Sequence, residues 1–127
     1  MKAITKLIDK VETGIDQDLK KDFDTIIRSN VTSYVNDETK DKQAFKSFLE
    51  DLGKGGCQSG FISEFIYHND CKDFYIKHID ALEDFKTEME EQIGEPIKNR
   101  QSLPHYTFVV WLAFEEYNYM LYSAIFE

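Results

Sequence analysis

An all-α bundle is the fold class this chain predicts, on three observations. Apolar residues recur at i, i+3, i+4 and i+7 through most of its length. Only two Pro and six Gly interrupt 127 residues, so long regular elements should dominate. The final stretch, Pro104 to Phe126, is apolar on nearly every side, which marks a helix that others wrap. About six helices are expected, in one domain large enough to bury roughly two-thirds of its unfolded surface.

Each element has its own signal. Ile4, Leu7, Ile8 and Val11 predict a first helix from about Lys2 to Thr13, broken at Gly14. Asp16 or Asp18 can cap the second, whose apolar positions are Leu19, Phe23, Ile26, Ile27, Val31 and Tyr34. Its β-branched end invites an extended alternative, but the helical spacing continues. Thr39 or Asp41 opens a third helix carrying Phe45, Phe48, Leu49 and Leu52, with Gly53 at the stop. Phe61, Ile62, Phe65 and Ile66 form a short fourth. With Asp70 as N-cap, a fifth helix of about 23 residues buries Phe74, Tyr75, Ile79, Leu82, Phe85, Met89 and Ile93. It stops at Gly94-Glu95-Pro96. Ser102 is available to cap the last helix, with Pro104 near its first turn.

The strongest local signal is Gly55-Gly56-Cys57-Gln58-Ser59-Gly60, set directly before an apolar run. Its glycines permit close backbone approach, and Cys57 would stand where a helix dipole favours a thiolate. The order is not that of a phosphate-binding loop, since no lysine follows and a helix rather than a strand precedes. A structural loop is the preferred reading of Gly56, Cys57, Gln58, Ser59 and Gly60. A thiol-dependent enzyme centred on Cys57 is the alternative. It requires a base among His68, His78 and His105, and no spacing forces one near. No Cys or His pair has zinc-ligand spacing, so neither metal nor cofactor is expected. Two cysteines without a framework point to free thiols in a reducing compartment, and no signal segment or membrane span is read; a cytoplasmic protein is expected.

Glu115 and Glu116 sit inside the most apolar helix. Neighbours point about 100° apart, so one is expected to anchor a buried polar contact while the other is solvated. Charge is distributed unevenly. Residues 1–55 carry 10 Lys/Arg against 11 Asp/Glu, whereas residues 56–127 carry 5 against 13. Asp80, Glu83, Asp84, Glu88 and Glu91 concentrate in one helical stretch, which would repel phosphate backbones and attract a basic protein groove. Tyr117 and Tyr122 are read as aromatic anchors beside it.

Gly56-Cys57-Gln58-Ser59-Gly60, then Ile66-Tyr67 with Asp70 and Phe74-Tyr75, then Trp111-Leu112-Ala113-Phe114-Glu115-Glu116, together resemble a group of small bacterial proteins. That group carries GCQSG, IY-x-x-D-x-x-x-FY and LA-x-FEE elements and is associated with phages, plasmids and conjugative elements. The resemblance covers residues 55–117 and leaves 1–54 as a variable N-terminal part. Trp111-Leu112 departs from the alanine-tryptophan order of many relatives. No catalytic role transfers. The resemblance implies a mobile-element setting, in which small acidic proteins are often inhibitors of host defence, anti-CRISPR proteins included. The expected partner is accordingly a bacterial immune effector, a CRISPR nuclease or its guide-RNA complex, bound without direct DNA contact by the acidic half and without a membrane. A helical adaptor or homodimer is the further alternative.

Overall fold

The computed structural model describes residues 14–34, 43, 46–47, 50, 70–100 and 102–126. Among these the chain is all-helical, with no strand. Four helices are defined: α1 (Gln17–Tyr34), α2 (Asp70–Lys77), α3 (Ile79–Ile93) and α4 (His105–Phe126). The predicted first and fourth helices lie outside the described residues. Of the third, Gln43, Lys46, Ser47 and Glu50 are helical.

Helix α1 starts as its sequence dictates. Gly14 takes φ +77°, a left-handed value that suits glycine, and Asp16 closes the N-terminus. The Leu19 amide donates to Asp16 Oδ1 at 3.0 Å, a side-chain cap worth about 1 kcal/mol. Leu19, Phe23 and Ile27 are fully buried on one face. Val31 and Tyr34 belong to the helical range, but their side chains lie outside the described residues.

The long fifth helix of the prediction is in fact two. A break falls at His78, with φ −118° and ψ 26°. The His78 amide is shared between the carbonyls of Phe74 at 3.1 Å and Tyr75 at 3.2 Å, and Leu82 N–H still reaches His78 O at 2.8 Å. The ladder continues through the break, and one face stays buried across it. Cys71, His78, Leu82 and Phe85 form that face, while Ile79, expected inside, lies at its edge and is 43% exposed, and Ile93 at the far end is 58% exposed. Gly94 ends α3 at φ +88°, its amide donating to Glu90 O at 2.8 Å.

Two clamps hold the connection to α4. Glu90 Oε2 accepts from the Ile97 amide at 2.8 Å while its Oε1 accepts from Lys86 at 3.0 Å. Asn99 donates to Leu103 O at 2.7 Å and accepts from Leu103 N–H at 3.0 Å. Ser102 takes φ +53° in this turn, and Pro104 O accepts the first helical bond, from Phe108 N–H at 2.9 Å.

Helix α4 is the hub, packed against both α2 and α3. Phe108, Val109, Val110, Ala113, Phe114, Tyr117 and Leu121 are buried along it. Helix α1 reaches it through rings: Phe23 lies 5.2 Å from Phe114, 5.5 Å from Tyr117 and 5.3 Å from Phe74 of α2. Such ring pairs add about 0.5–1.5 kcal/mol beyond their area burial.

Beside this cluster lies a buried charge pair. Lys20 donates to Asp24 Oδ2 at 2.7 Å, and the Tyr117 hydroxyl donates to Asp24 Oδ1. Removing one member leaves the carboxylate uncompensated. Lys20→Met is expected to cost about 3–5 kcal/mol in urea unfolding. A Lys20→Met, Asp24→Leu, Tyr117→Phe triple variant should recover most of that loss.

Candidate interaction surface and the cleft at the helix break

Five carboxylates line the outward side of α3 and its end. Asp80, Asp84, Glu88, Glu91 and Glu95 are all exposed. Spacing of three and four residues places Asp80, Asp84, Glu88 and Glu91 on one ridge of the helix, and Glu95 follows just past its end. Helix α3 carries a single cation, Lys86, and it is turned aside to Glu90 at 3.0 Å. Nothing positive on the helix neutralises the ridge.

Glu83 belongs to the same acidic run but not to the ridge. Its Oε1 accepts from the Tyr75 hydroxyl at 2.8 Å and from His105 Nε2 at 2.6 Å, which ties α2, α3 and the start of α4 together. Partial burial works to raise the Glu83 pKa, but the His105 and Tyr75 bonds outweigh it and hold it below the usual carboxylate range. A residue read as partner-binding is thus occupied internally.

Tyr117 requires a correction. It is fully buried against Phe23, with its hydroxyl on Asp24, and offers nothing to an outside partner. Tyr122 is half-buried, its ring tilted against Phe126 at 5.5 Å, and its hydroxyl donates to Glu50 at 3.1 Å. Tyr119 is the exposed phenol of this helix, at 61%.

Glu115 and Glu116 are both half-buried. Trp111 Nε1, Glu115 Oε2 and Asn118 Oδ1, at i, i+4 and i+7, are buried without a hydrogen-bond partner among the described residues. Burial raises the Glu115 pKa, and the Glu116 charge beside it adds to the effect. The Trp111 indole offsets only part, lying close without a well-formed bond. The loop of Gly56, Cys57, Gln58, Ser59 and Gly60 lies outside the described residues. Cys71 is a free, fully buried thiol; burial pushes its pKa up to about 11 despite a hydrogen bond with Thr107, so it is not a nucleophile at neutral pH.

The break at His78 opens a cleft of about 490 Å³ between the first turns of α1 and α3, its walls including Asp16, Asp18, Asp22, His78, Ile79 and Asp80. Buried His78 donates from Nε2 to Asp22 Oδ2 at 2.6 Å, and exposed Lys77 donates to the same oxygen at 2.8 Å. Partial burial of Asp22 works to raise its pKa, but Lys77 and His78 together bring it below the ordinary value. A carboxylate orienting an imidazole supplies two of the three members of a nucleophilic triad. No hydroxyl or thiol is placed against His78 among the described residues, and no three metal-ligating groups gather there. The pairing had no sequence signal, because Asp22 and His78 stand 56 residues apart.

Residues 16–127 match the family described as a domain of unknown function, DUF7222. The chain belongs to this family. The match begins at the Asp16 cap of α1, so most of the first 54 residues fall within it. No curated protein and no solved structure matches the chain. Membership in DUF7222 carries no activity with it. No described helix is long and apolar enough to cross a membrane.

Two titration experiments test these sites. The lowered folded-state pKa of Asp22 gives stability that is present above its unfolded value and lost as pH falls through the folded one. Asp22→Asn should therefore be less stable than wild type at pH 7, with the gap closing below about pH 4, read by urea midpoints. Glu115 has the opposite sign: its raised pKa withdraws stability as pH rises past the unfolded carboxylate value. Glu115→Gln should raise the melting temperature at pH 7 and change it less at pH 4.

Proposed function

We propose that this chain is a non-catalytic binding module that docks the acidic ridge of α3 on a positively charged surface of a macromolecular partner. The observation that carries the reading is the run of five exposed carboxylates with no helix cation among them. A ridge of one sign steers a basic partner into rapid encounter and turns nucleic acids away.

In the mobile-element setting implied by the GCQSG and LA-x-FEE resemblance, the partner is a bacterial immune nuclease of the RNA-guided kind. Such an enzyme holds its heteroduplex in a positively charged channel, and the ridge fits that channel or the basic surface beside it. The mode of action is stoichiometric occupation, with no cofactor and no bond made or broken.

The test reverses charge on the ridge alone. Asp84→Lys, Glu88→Lys and Glu91→Lys are combined, and Glu83 is left in place because it holds helices together. Circular dichroism should be unchanged, while inhibition of DNA cleavage by purified RNA-guided nucleases should fall by at least a hundredfold. Full inhibition by the triple variant removes charge docking. Absence of inhibition by the wild-type chain removes the nuclease as partner.

A further inference from the structure

The geometry points to an apolar anchor at the head of the ridge, formed by Ile76 and Ile79, whose occupant is a basic amphipathic segment of the partner: an aliphatic side chain flanked by Lys or Arg. This rests on the reading of α3 as a docking surface and names the chemistry that surface accepts.

Ile76 is 58% exposed and Ile79 43% exposed. Three residues apart on a helical path, they are surface neighbours. Both lie off the buried face that Cys71, His78, Leu82 and Phe85 share. Ile76 also continues the ridge: Asp73, Ile76, Asp80, Asp84, Glu88, Glu91 and Glu95 follow one another at steps of three or four. The apolar spot thus has an exposed carboxylate on each side along the ridge, Asp73 and Asp80. On its α2 side are Lys72 and Lys77, the latter held by Asp22 at 2.8 Å. Ile79 in turn walls the cleft of about 490 Å³, whose lining sets Asp16, Asp18, Asp22 and Asp80 against two cations, Lys21 and Lys77.

Charge complementarity selects the occupant. A second copy would set two like-charged ridges against each other, on a chain whose net charge is −9. Phosphate backbones and anionic bilayers carry the same sign as the ridge. A wholly apolar segment would strip water from the carboxylates without replacing it. A segment with an aliphatic centre and cationic flanks covers the isoleucines and pairs the acids together, and its aliphatic contact acts as the hot spot.

Two synthetic peptides of equal length and charge serve as probes. One is a Lys/Leu amphipathic helix; in the other every Leu is replaced by Gln. Binding is followed by fluorescence anisotropy at physiological salt. The wild-type chain should bind the Leu peptide about tenfold or more tightly than the Gln peptide. Ile76→Ser/Ile79→Ser should bind both alike, at the Gln-peptide level, with unchanged circular dichroism because neither side chain belongs to the buried core. Equal binding of the two peptides by the wild-type chain, or a Leu preference that survives in the double variant, overturns the anchor and leaves the charge reading standing. Failure of the wild-type chain to bind either peptide overturns both. Sedimentation velocity closes the remaining route: a dimer that Ile76→Ser/Ile79→Ser dissociates would make a second copy the occupant and overturn the proposal.

Discussion

Three consecutive residues of α1, Asp22, Phe23 and Asp24, hold this fold in register. Neighbours on a helix diverge by about 100°, so the three side chains leave α1 in different directions. Phe23 enters the ring cluster with Phe74, Phe114 and Tyr117. Asp24 takes the Tyr117 hydroxyl and the Lys20 ammonium. Asp22 takes His78 and Lys77 at the end of α2. The apolar term drives α1 onto α2 and α4, while the two carboxylates fix its rotation and its height. A rotation of one residue position would leave a buried acid unpaired, at a cost of several kcal/mol.

The same turn accounts for the shape of the surface. Anchoring His78 to Asp22 coincides with the break between α2 and α3, and the buried face of His78, Leu82 and Phe85 sets which residues of α3 point outward. Glu83 is drawn in to His105 and Tyr75, and Glu90 is drawn in to Lys86 and Ile97. The carboxylates left over are those of the ridge. The division between structural and presented acids is therefore made by hydrogen-bond partners, not by composition.

That division explains what could be read from the residues alone. The apolar stripe of Leu19, Phe23 and Ile27, the Asp16 cap, the Gly94 stop and the central rank of α4 were legible, because each depends on spacing or on a local backbone requirement. The position of Tyr117 was not. A phenol looks half-wet until its hydroxyl finds a buried acceptor, and Asp24 lies 93 residues away. Ile79 was read into the apolar stripe, yet it stands at the edge of the face that Cys71, His78, Leu82 and Phe85 bury, and is 43% exposed. Glu83 could not be told from Glu88 by sequence, since what separates them is a histidine and a tyrosine brought in from other helices.

Fastened at its head by the His78–Asp22 bond, along its flank by Glu83 and at its tail by Glu90, α3 has little freedom to bend or twist. Its 15 residues make a rod about 22 Å long. The negative charges are consequently graduations on a fixed scale, roughly 6 Å from one to the next. A complementary surface must carry its cations at that interval over several helical turns; a cluster of the same total charge at the wrong pitch meets only one or two marks. Recognition by such a gauge discriminates by distance as well as by sign.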